Sequence, residues 1–139
     1  MKPLSAVILF ILMSFGQIAG QVADTIKVKS LPPQEFHLAY LKEDKAILID
    51  VREVFEYRKS RLIDAINIPS SGNIDFAADT LPKESALFLY CTSGFRSKRV
   101  AVKFYKKGFR NLYSLDGGIS AWRKEKMPVD RKRVKKRTL

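Results

Sequence analysis

The most informative stretch of this sequence lies in its second half and reads Cys91-Thr92-Ser93-Gly94-Phe95-Arg96-Ser97. It holds the only cysteine of the chain and stands between an apolar run at 86–90 and a segment with a helical pattern at 97–107. A strand, a tight polar loop and a helix in this order turn backbone N–H groups toward the loop's centre, where they favour an anion. We therefore expect the thiol of Cys91 to ionise more easily than a free cysteine, and the thiolate is the nucleophilic form.

A lone cysteine after an apolar strand can also be a buried core thiol, because free cysteine packs as a small hydrophobic residue. Gly94 and Arg96 follow Cys91 at the start of a helix and favour the functional interpretation, since Arg96 brings a full positive charge close to the sulfur. With one cysteine in the chain an internal disulfide is excluded, so the thiol is either free and reactive or linked to another molecule.

Apolar runs alternate with helix-like segments along most of the chain, which predicts an α/β fold. The run at 46–50 is almost continuously apolar, as is typical of a strand buried on both faces of a parallel sheet. Further strands are predicted at 25–29, 65–69, 86–90 and 111–115. Helices are predicted from the prolines at 32–33 to residue 43, and at 53–60, 74–80 and 97–107.

Functional residues of parallel sheets collect beyond the carboxyl ends of the strands. Asp50 ends one predicted strand, and Cys91 follows another. For Asp50 and Arg52 we favour a buried ion pair that supports the loop over direct catalysis. In the helix that comes next, Phe55 and Tyr57 are the expected apolar contacts.

Composition and charge indicate one basic domain with an apolar N-terminal segment and a highly charged C-terminal segment. The 139 residues suffice for a single domain, and 26 lysine and arginine residues against 14 acidic ones give a net charge of +12. Residues 1–20 combine a positive start with an apolar stretch at 6–15 and predict a cleaved export signal, with an uncleaved anchor as the alternative. The apolar stretch is short for a membrane span, so we expect no stable span after cleavage. Residues 130–139 are too charged to pack and predict a disordered tail.

The predicted helix at 97–107 carries many cations, namely Lys98, Arg99, Lys103, Lys106 and Lys107. We favour an ordinary solvated face, and the alternative is a surface that draws anionic substrates or acidic partners toward the cysteine loop. The single histidine, His37, lies off the apolar stripe of its helix and is expected to be solvated. One histidine cannot build a metal site, so we expect no metal.

Three stretches together resemble the rhodanese-like domain family. They are IDVREVFEYRKSRLIDAINIP at 49–69, the cysteine loop at 91–96, and the pattern Leu-x-Gly-Gly-x-x-x-Trp at 115–122. The resemblance covers residues 26–129. Two places depart from the family pattern: Ser60-Arg61-Leu62 stands where Gly-His-Ile is usual, and Ile63-Asp64 stands where proline and glycine are common. These positions shape a turn, so we expect local differences there.

This resemblance implies an α/β domain with a parallel central sheet flanked by helices on both faces. It also implies a single-domain sulfurtransferase in which Cys91 takes a sulfur atom from thiosulfate or a persulfide and passes it to a thiol acceptor. The implied substrate-binding residues are Thr92, Ser93, Gly94, Phe95, Arg96 and Ser97, with Asp50 and Arg52 as structural support. No cofactor is implied. Many relatives carry a cation directly after the cysteine, and the neutral Thr92 weakens the case for thiosulfate as the natural donor.

Two other classes of function stay open. One is a non-catalytic binding or redox-sensing module built on the same fold. The other is a phosphatase or arsenate reductase, but phosphatases on a similar cradle place their arginine one residue later, where this chain has Ser97. A shorter ring leaves less room for a tetrahedral phosphate and suits a terminal sulfur.

Export would place the protein in the periplasm or outside the cell, where conditions are oxidising. A lone ionised thiol is open to oxidation there, and the chain has no second cysteine to resolve it. We therefore expect a separate thiol partner, such as a thioredoxin-like protein, that reduces Cys91 or accepts its sulfur. A nucleic-acid partner is not expected.

Overall fold

The computed structural model describes residues 25–134. At its centre is a five-stranded sheet in which every pairing is parallel. In chain order the strands are β1 (Lys29–Leu31), β2 (Ala46–Asp50), β3 (Ile66–Asn67), β4 (Ala86–Tyr90) and β5 (Asn111–Leu115). Their order across the sheet is β1-β5-β4-β2-β3, so β4 lies at the centre, and all of its residues are buried.

Helices cover both faces of this sheet. They are α1 (Pro33–Lys42), α2 (Val54–Lys59), α3 (Ile74–Thr80), α4 (Phe95–Lys106) and α5 (Gly118–Lys124). Successive side chains of a strand point to opposite faces. Accordingly Leu87 and Leu89 of β4 pack into a core with α3 and α4, whereas Phe88 and Tyr90 pack into a second core with α1 and α5. The predicted α/β fold with helices on both faces is confirmed.

Two predicted boundaries differ from the structure for reasons of pairing and capping. The first strand was expected at 25–29 from its alternating pattern, but it lies at Lys29–Leu31. Leu31 pairs with Leu115 of β5, and its carbonyl oxygen accepts a hydrogen bond of 2.8 Å from the N–H of Asp116. Pairing with β5 therefore determines which residues form this edge strand. Helix α4 starts at Phe95, before the predicted residue 97, because Gly94 takes the N-cap position.

Two predicted side-chain environments are wrong. Phe55 was expected to be an apolar contact, but it is 64% exposed. Helix α2 has no fully buried residue, and Tyr57 reaches inward to donate a hydrogen bond of 2.8 Å to the carbonyl oxygen of Ala65. His37 was expected to be solvated, but it is partly buried, and its ring meets that of Trp122 edge-on with 5.5 Å between the centroids.

Two of the predicted segments lie wholly or partly beyond the residues that the structure describes. The predicted export signal at 1–20 and residues 135–139 of the predicted tail lie outside the described residues. The start of the tail is not free, because Asp130 forms an antiparallel bridge and a 2.5 Å ion pair with Arg61. Arg61 also donates to the carbonyl oxygen of Lys132 at 3.1 Å. Within residues 25–134, no helix has the length and apolar character needed to cross a membrane.

Candidate active site

Cys91 directly follows the central strand β4, and the loop after it ends at the N-cap of α4. The N–H of Gly94 points back into this loop and donates a hydrogen bond of 3.1 Å to Sγ of Cys91. Gly94 has a φ of +95°, and an added Cβ would lie 3.2 Å from the carbonyl oxygen of Leu115. Both facts favour glycine, because other residues rarely adopt this conformation and would crowd β5.

The N-terminus of α5 holds the outer side of the loop. The N–H of Ile119 donates to the carbonyl oxygen of Cys91 at 2.9 Å, and that of Ser120 donates to the carbonyl oxygen of Thr92 at 3.1 Å. These bonds tie the carbonyl oxygens of Cys91 and Thr92 to α5, while the N–H of Gly94 donates to the sulfur. A Cβ on Gly118 would lie 2.5 Å from the carbonyl oxygen of Cys91, so only glycine fits this close approach.

The electrostatic surroundings of Cys91 favour the thiolate. Burial raises the pKa of the thiol, but hydrogen bonds from the N–H groups of Ser97, Ser93 and Gly94 outweigh it, and the net pKa lies below the ordinary cysteine value. The hydroxyl of Ser97 also lowers this pKa, and it lies 3.0 Å from the carbonyl oxygen of Gly94 and 2.9 Å from the hydroxyl of Ser114. Cys91 is a free thiol and only 1% exposed.

Arg96 does not face the sulfur as a free cation. Its guanidinium forms a two-pronged ion pair with Glu56 of α2, with Nη1 2.8 Å from Oε2 and Nη2 3.0 Å from Oε1. The hydroxyl of Thr92 donates to Oε1 of Glu56 at 2.9 Å and accepts from Nη2 of Arg96 at 3.0 Å. The charge that we expected Arg96 to bring to the loop is therefore balanced by a carboxylate.

Glu56 is the residue of this site that sequence analysis missed. The hydrogen bond from Arg96 contributes most to lowering its pKa to about 2; burial opposes this, and bonds from Glu53 and Thr92 support it. Glu53 and Glu56 form a reciprocal capping box at the start of α2, in which the N–H of Glu53 donates to Oε2 of Glu56 at 2.9 Å. The Glu-x-x-Glu spacing is visible in the sequence and marks a helix start, but it does not identify Arg96 as the partner.

Asp50 and Arg52 form the expected buried ion pair below the site. Nη2 of Arg52 lies 2.6 Å from Oδ2 of Asp50, and Nε lies 3.0 Å from Oδ1. The same Nη2 donates to the carbonyl oxygen of Ser60 at the end of α2, and the hydroxyl of Tyr90 donates to Asp50 at 2.7 Å. This network joins β2, β4 and α2 and includes no hydrogen bond to Cys91 among those of residues 25–134. It therefore fixes the helix that carries Glu56.

Two cavities differ in their relation to the sulfur. A basic cleft of about 90 Å³ adjoins the loop through Arg96 and is also lined by Ser70, Arg99, Val100 and Lys103. A larger groove of about 210 Å³ lies against α1 and α5, is largely apolar and includes no residue of the cysteine loop. Within residues 25–134 no cluster of three or more histidine, cysteine or acidic side chains could hold a metal ion.

A family model for the rhodanese-like domain matches residues 33–125. The chain belongs to the rhodanese-like domain family. A crystal structure of a rhodanese-related protein from Thermoplasma volcanium superposes on this rhodanese-like domain with a TM-score of 0.63 and 28% identity, covering 75% of this chain and 99% of that one.

Two relatives of this rhodanese-like protein differ in length. YqhL of Bacillus subtilis, an uncharacterized protein, is 32% identical over 122 residues, which are 88% of this chain and 94% of YqhL. A tRNA uridine(34) hydroxylase of Chlamydia trachomatis is 32% identical over 111 residues, which are 74% of this chain and 34% of the hydroxylase. The chain thus spans about a third of the hydroxylase's length.

Proposed function

We propose that this protein is an exported single-domain sulfurtransferase that carries sulfur as a persulfide on Cys91. One observation carries the proposal: the N–H of Gly94 donates to the sulfur of a single buried thiol, and the N–H groups of Ser93 and Ser97 and the Ser97 hydroxyl also favour its charged form. Such a cradle stabilises a negative charge at the sulfur whether it is borne by the thiolate or by a terminal persulfide sulfur. A core thiol with a packing role alone would need none of these donors.

The proposed reaction has two steps, and Cys91 carries the sulfur between them. First the Cys91 thiolate attacks the outer sulfur of thiosulfate or of a donor persulfide; a new S–S bond forms, and sulfite or the donor thiolate leaves with the electron pair of the broken bond. Then an acceptor thiolate attacks the outer sulfur of the Cys91 persulfide, and the Cys91 thiolate leaves. Neither step needs a metal or cofactor.

The charge around the loop favours a persulfide donor over thiosulfate. Thr92 is neutral, and Glu56 balances the charge of Arg96, so the loop itself offers no unpaired cation to a doubly charged anion. A persulfide brings one negative charge at its outer sulfur, which the N–H groups suffice to hold. The donor we propose is therefore a small persulfide.

The acceptor and the location belong to the same proposal. The predicted export signal at 1–20 supports a periplasmic or secreted protein, where a thiol acceptor would take the sulfur and a thioredoxin-like protein would reduce an oxidised Cys91. The relatives named as tRNA hydroxylases are about three times as long as the segment that matches this chain. We therefore propose neither tRNA hydroxylation nor a nucleic-acid partner for this chain.

The proposal is tested by Cys91→Ser. We expect the wild-type protein, incubated with a persulfide or thiosulfate, to gain the mass of one sulfur atom on Cys91, as read by mass spectrometry. We expect the serine variant to gain none and to lose turnover while keeping its melting temperature, because Cys91 is the only thiol.

Near-wild-type turnover in the serine variant would contradict the proposal. A wild-type protein that takes up no sulfur from either donor would favour the alternative, a non-catalytic binding or redox-sensing module.

A further inference from the structure

The basic cleft beside the cysteine loop runs along one face of α4. Arg96, Arg99, Val100 and Lys103 have the spacing i, i+3, i+4 and i+7, which places them in one stripe on a helix. Ser70, in the loop after β3, closes the other side. Val100 is 3% exposed and gives the cleft an apolar floor.

Two of the three cations that line this cleft, Arg99 and Lys103, have no carboxylate partner among residues 25–134. Cations at or next to α4 that do pair form the contacts Arg96–Glu56, Lys98–Asp116 and Lys107–Asp79. Among residues 25–134, no carboxylate forms an ion pair with Arg99, Lys103 or Lys106. Of these three, Arg99 and Lys103 line the cleft, whereas Lys106 does not.

The position of these two cations fits a ligand whose sulfur reaches Cys91. The helix rises about 1.5 Å per residue, so Arg99 and Lys103 lie about 5 and 10 Å along the axis from Arg96, the second residue of α4. The guanidinium of Arg99 also lies 5.8 Å from the ring centre of Phe95, which keeps it near the loop end of the helix. The two cations and the Ser70 hydroxyl are hydrogen-bond donors, and the oxygens of a carboxylate are the acceptors that suit them.

We infer that this cleft binds a carboxylate of the small thiol or persulfide that exchanges sulfur with Cys91. The inference rests on the proposed sulfur transfer and specifies the substrate class: a carboxylate-bearing thiol of peptide size. Glu56 already neutralises the charge of Arg96. The charge that holds the substrate therefore comes from Arg99 and Lys103, and the loop holds only the reacting sulfur. The small volume of the cleft suits a carboxylate with its methylene groups on Val100.

The kinetic test uses the full-length protein loaded with sulfur on Cys91 and two acceptors, glutathione and its diethyl ester, which share a thiol and differ in free carboxylates. For the wild type we expect a KM about tenfold lower for glutathione, the effect of one charge-assisted hydrogen bond. Lys103→Gln should remove most of that difference. Lys106→Gln is the matched control, because it removes the same charge from the same helix outside the cleft, and it should keep the difference.

A binding test separates the cleft from the chemistry. S-methylglutathione cannot accept sulfur, and we expect calorimetric titration to show its binding to the wild type and weaker binding to Arg99→Gln. Equal KM values for the two acceptors in the wild type, equal losses in Lys103→Gln and Lys106→Gln, or no binding of S-methylglutathione would each overturn the inference. If Cys91 accepts no sulfur but Arg99 and Lys103 still bind S-methylglutathione, the proposed function fails and the cleft stands.

Discussion

Two arginine–carboxylate pairs involve the segment after β2, and they differ in burial and in what they contact. The side chains of Asp50 and Arg52 are 0% and 4% exposed, and their partners are the Tyr90 hydroxyl and the end of α2. The side chains of Glu56 and Arg96 are 20% and 29% exposed, and their partner is Thr92, next to the nucleophile. The same chemistry therefore serves two purposes, one in the scaffold and one at the edge of the site.

Burial decides which purpose each pair serves. Removing one member of a buried pair leaves the other charge without compensation. The Glu56–Arg96 pair, the more exposed of the two, contributes less to stability because water partly screens it. The buried pair fixes β2, β4 and α2 relative to one another, while the exposed pair sets how much positive charge the cysteine loop offers to an anion. Substitutions can test this division directly.

The largest effect is expected for stability when Asp50 is replaced by alanine. Asp50→Ala leaves the Arg52 guanidinium buried and unpaired and should lower the free energy of unfolding by about 3–5 kcal/mol. The matched variant Glu56→Gln acts on the more exposed pair and should cost less than this, because water partly screens that pair. Urea unfolding followed by fluorescence of Trp122, the only tryptophan, measures both.

If Asp50→Ala kept its stability and lost sulfur transfer, Asp50 would be catalytic and the division between the two pairs would be wrong. Equal destabilisation by Asp50→Ala and Glu56→Gln would show that exposure does not separate them.

A smaller effect is expected on donor preference when the charge of Glu56 is removed. Glu56→Gln keeps the shape of the side chain but releases the charge of Arg96, which should lower the KM for thiosulfate severalfold, because a dianion gains more than a singly charged persulfide. Kinetics with both donors at low ionic strength measure this change. Glu35→Gln removes an equal charge from the exposed surface of α1 and is the control.

An unchanged ratio of the two KM values in Glu56→Gln would contradict a role for Glu56 in donor choice. A similar change in Glu35→Gln would assign the effect to net charge alone.

The sequence predicted the elements whose signals are local. The apolar runs at 46–50, 86–90 and 111–115 coincide with β2, β4 and β5, because buried parallel strands need continuous apolar side chains. The cysteine loop could be located for a similar reason, since its glycine and the helix that follows are contiguous with Cys91. The glycine pair in the pattern at 115–122 belongs to the same site, because Gly118 lies close to the carbonyl oxygen of Cys91.

Contacts between distant residues were not predictable in this way. Glu56 and Arg96 are separated by 40 positions, and nothing in either segment identifies the other. Arg61 and Asp130 are separated by 69, so the charged segment after residue 129 was expected to be free. Phe55 was expected to be an apolar contact, but α2 is held by Tyr57, Arg52 and Glu56 and leaves Phe55 exposed.

The smallest expected effect is an acid sensitivity of the exposed pair. The pKa of Glu56 is about 2 in the folded protein against an ordinary value of 4.5, so the folded state binds fewer protons than the unfolded state between these values. Its contribution to stability is thus complete above about pH 4.5 and is lost as the pH falls toward 2. The stability difference between wild type and Glu56→Gln should be constant from pH 7 to 5 and shrink at pH 3, as measured by urea unfolding. A difference that stays constant down to pH 3 would mean that Arg96 does not hold Glu56 in its ionised form, and the exposed pair would lose its proposed control over the charge at the loop.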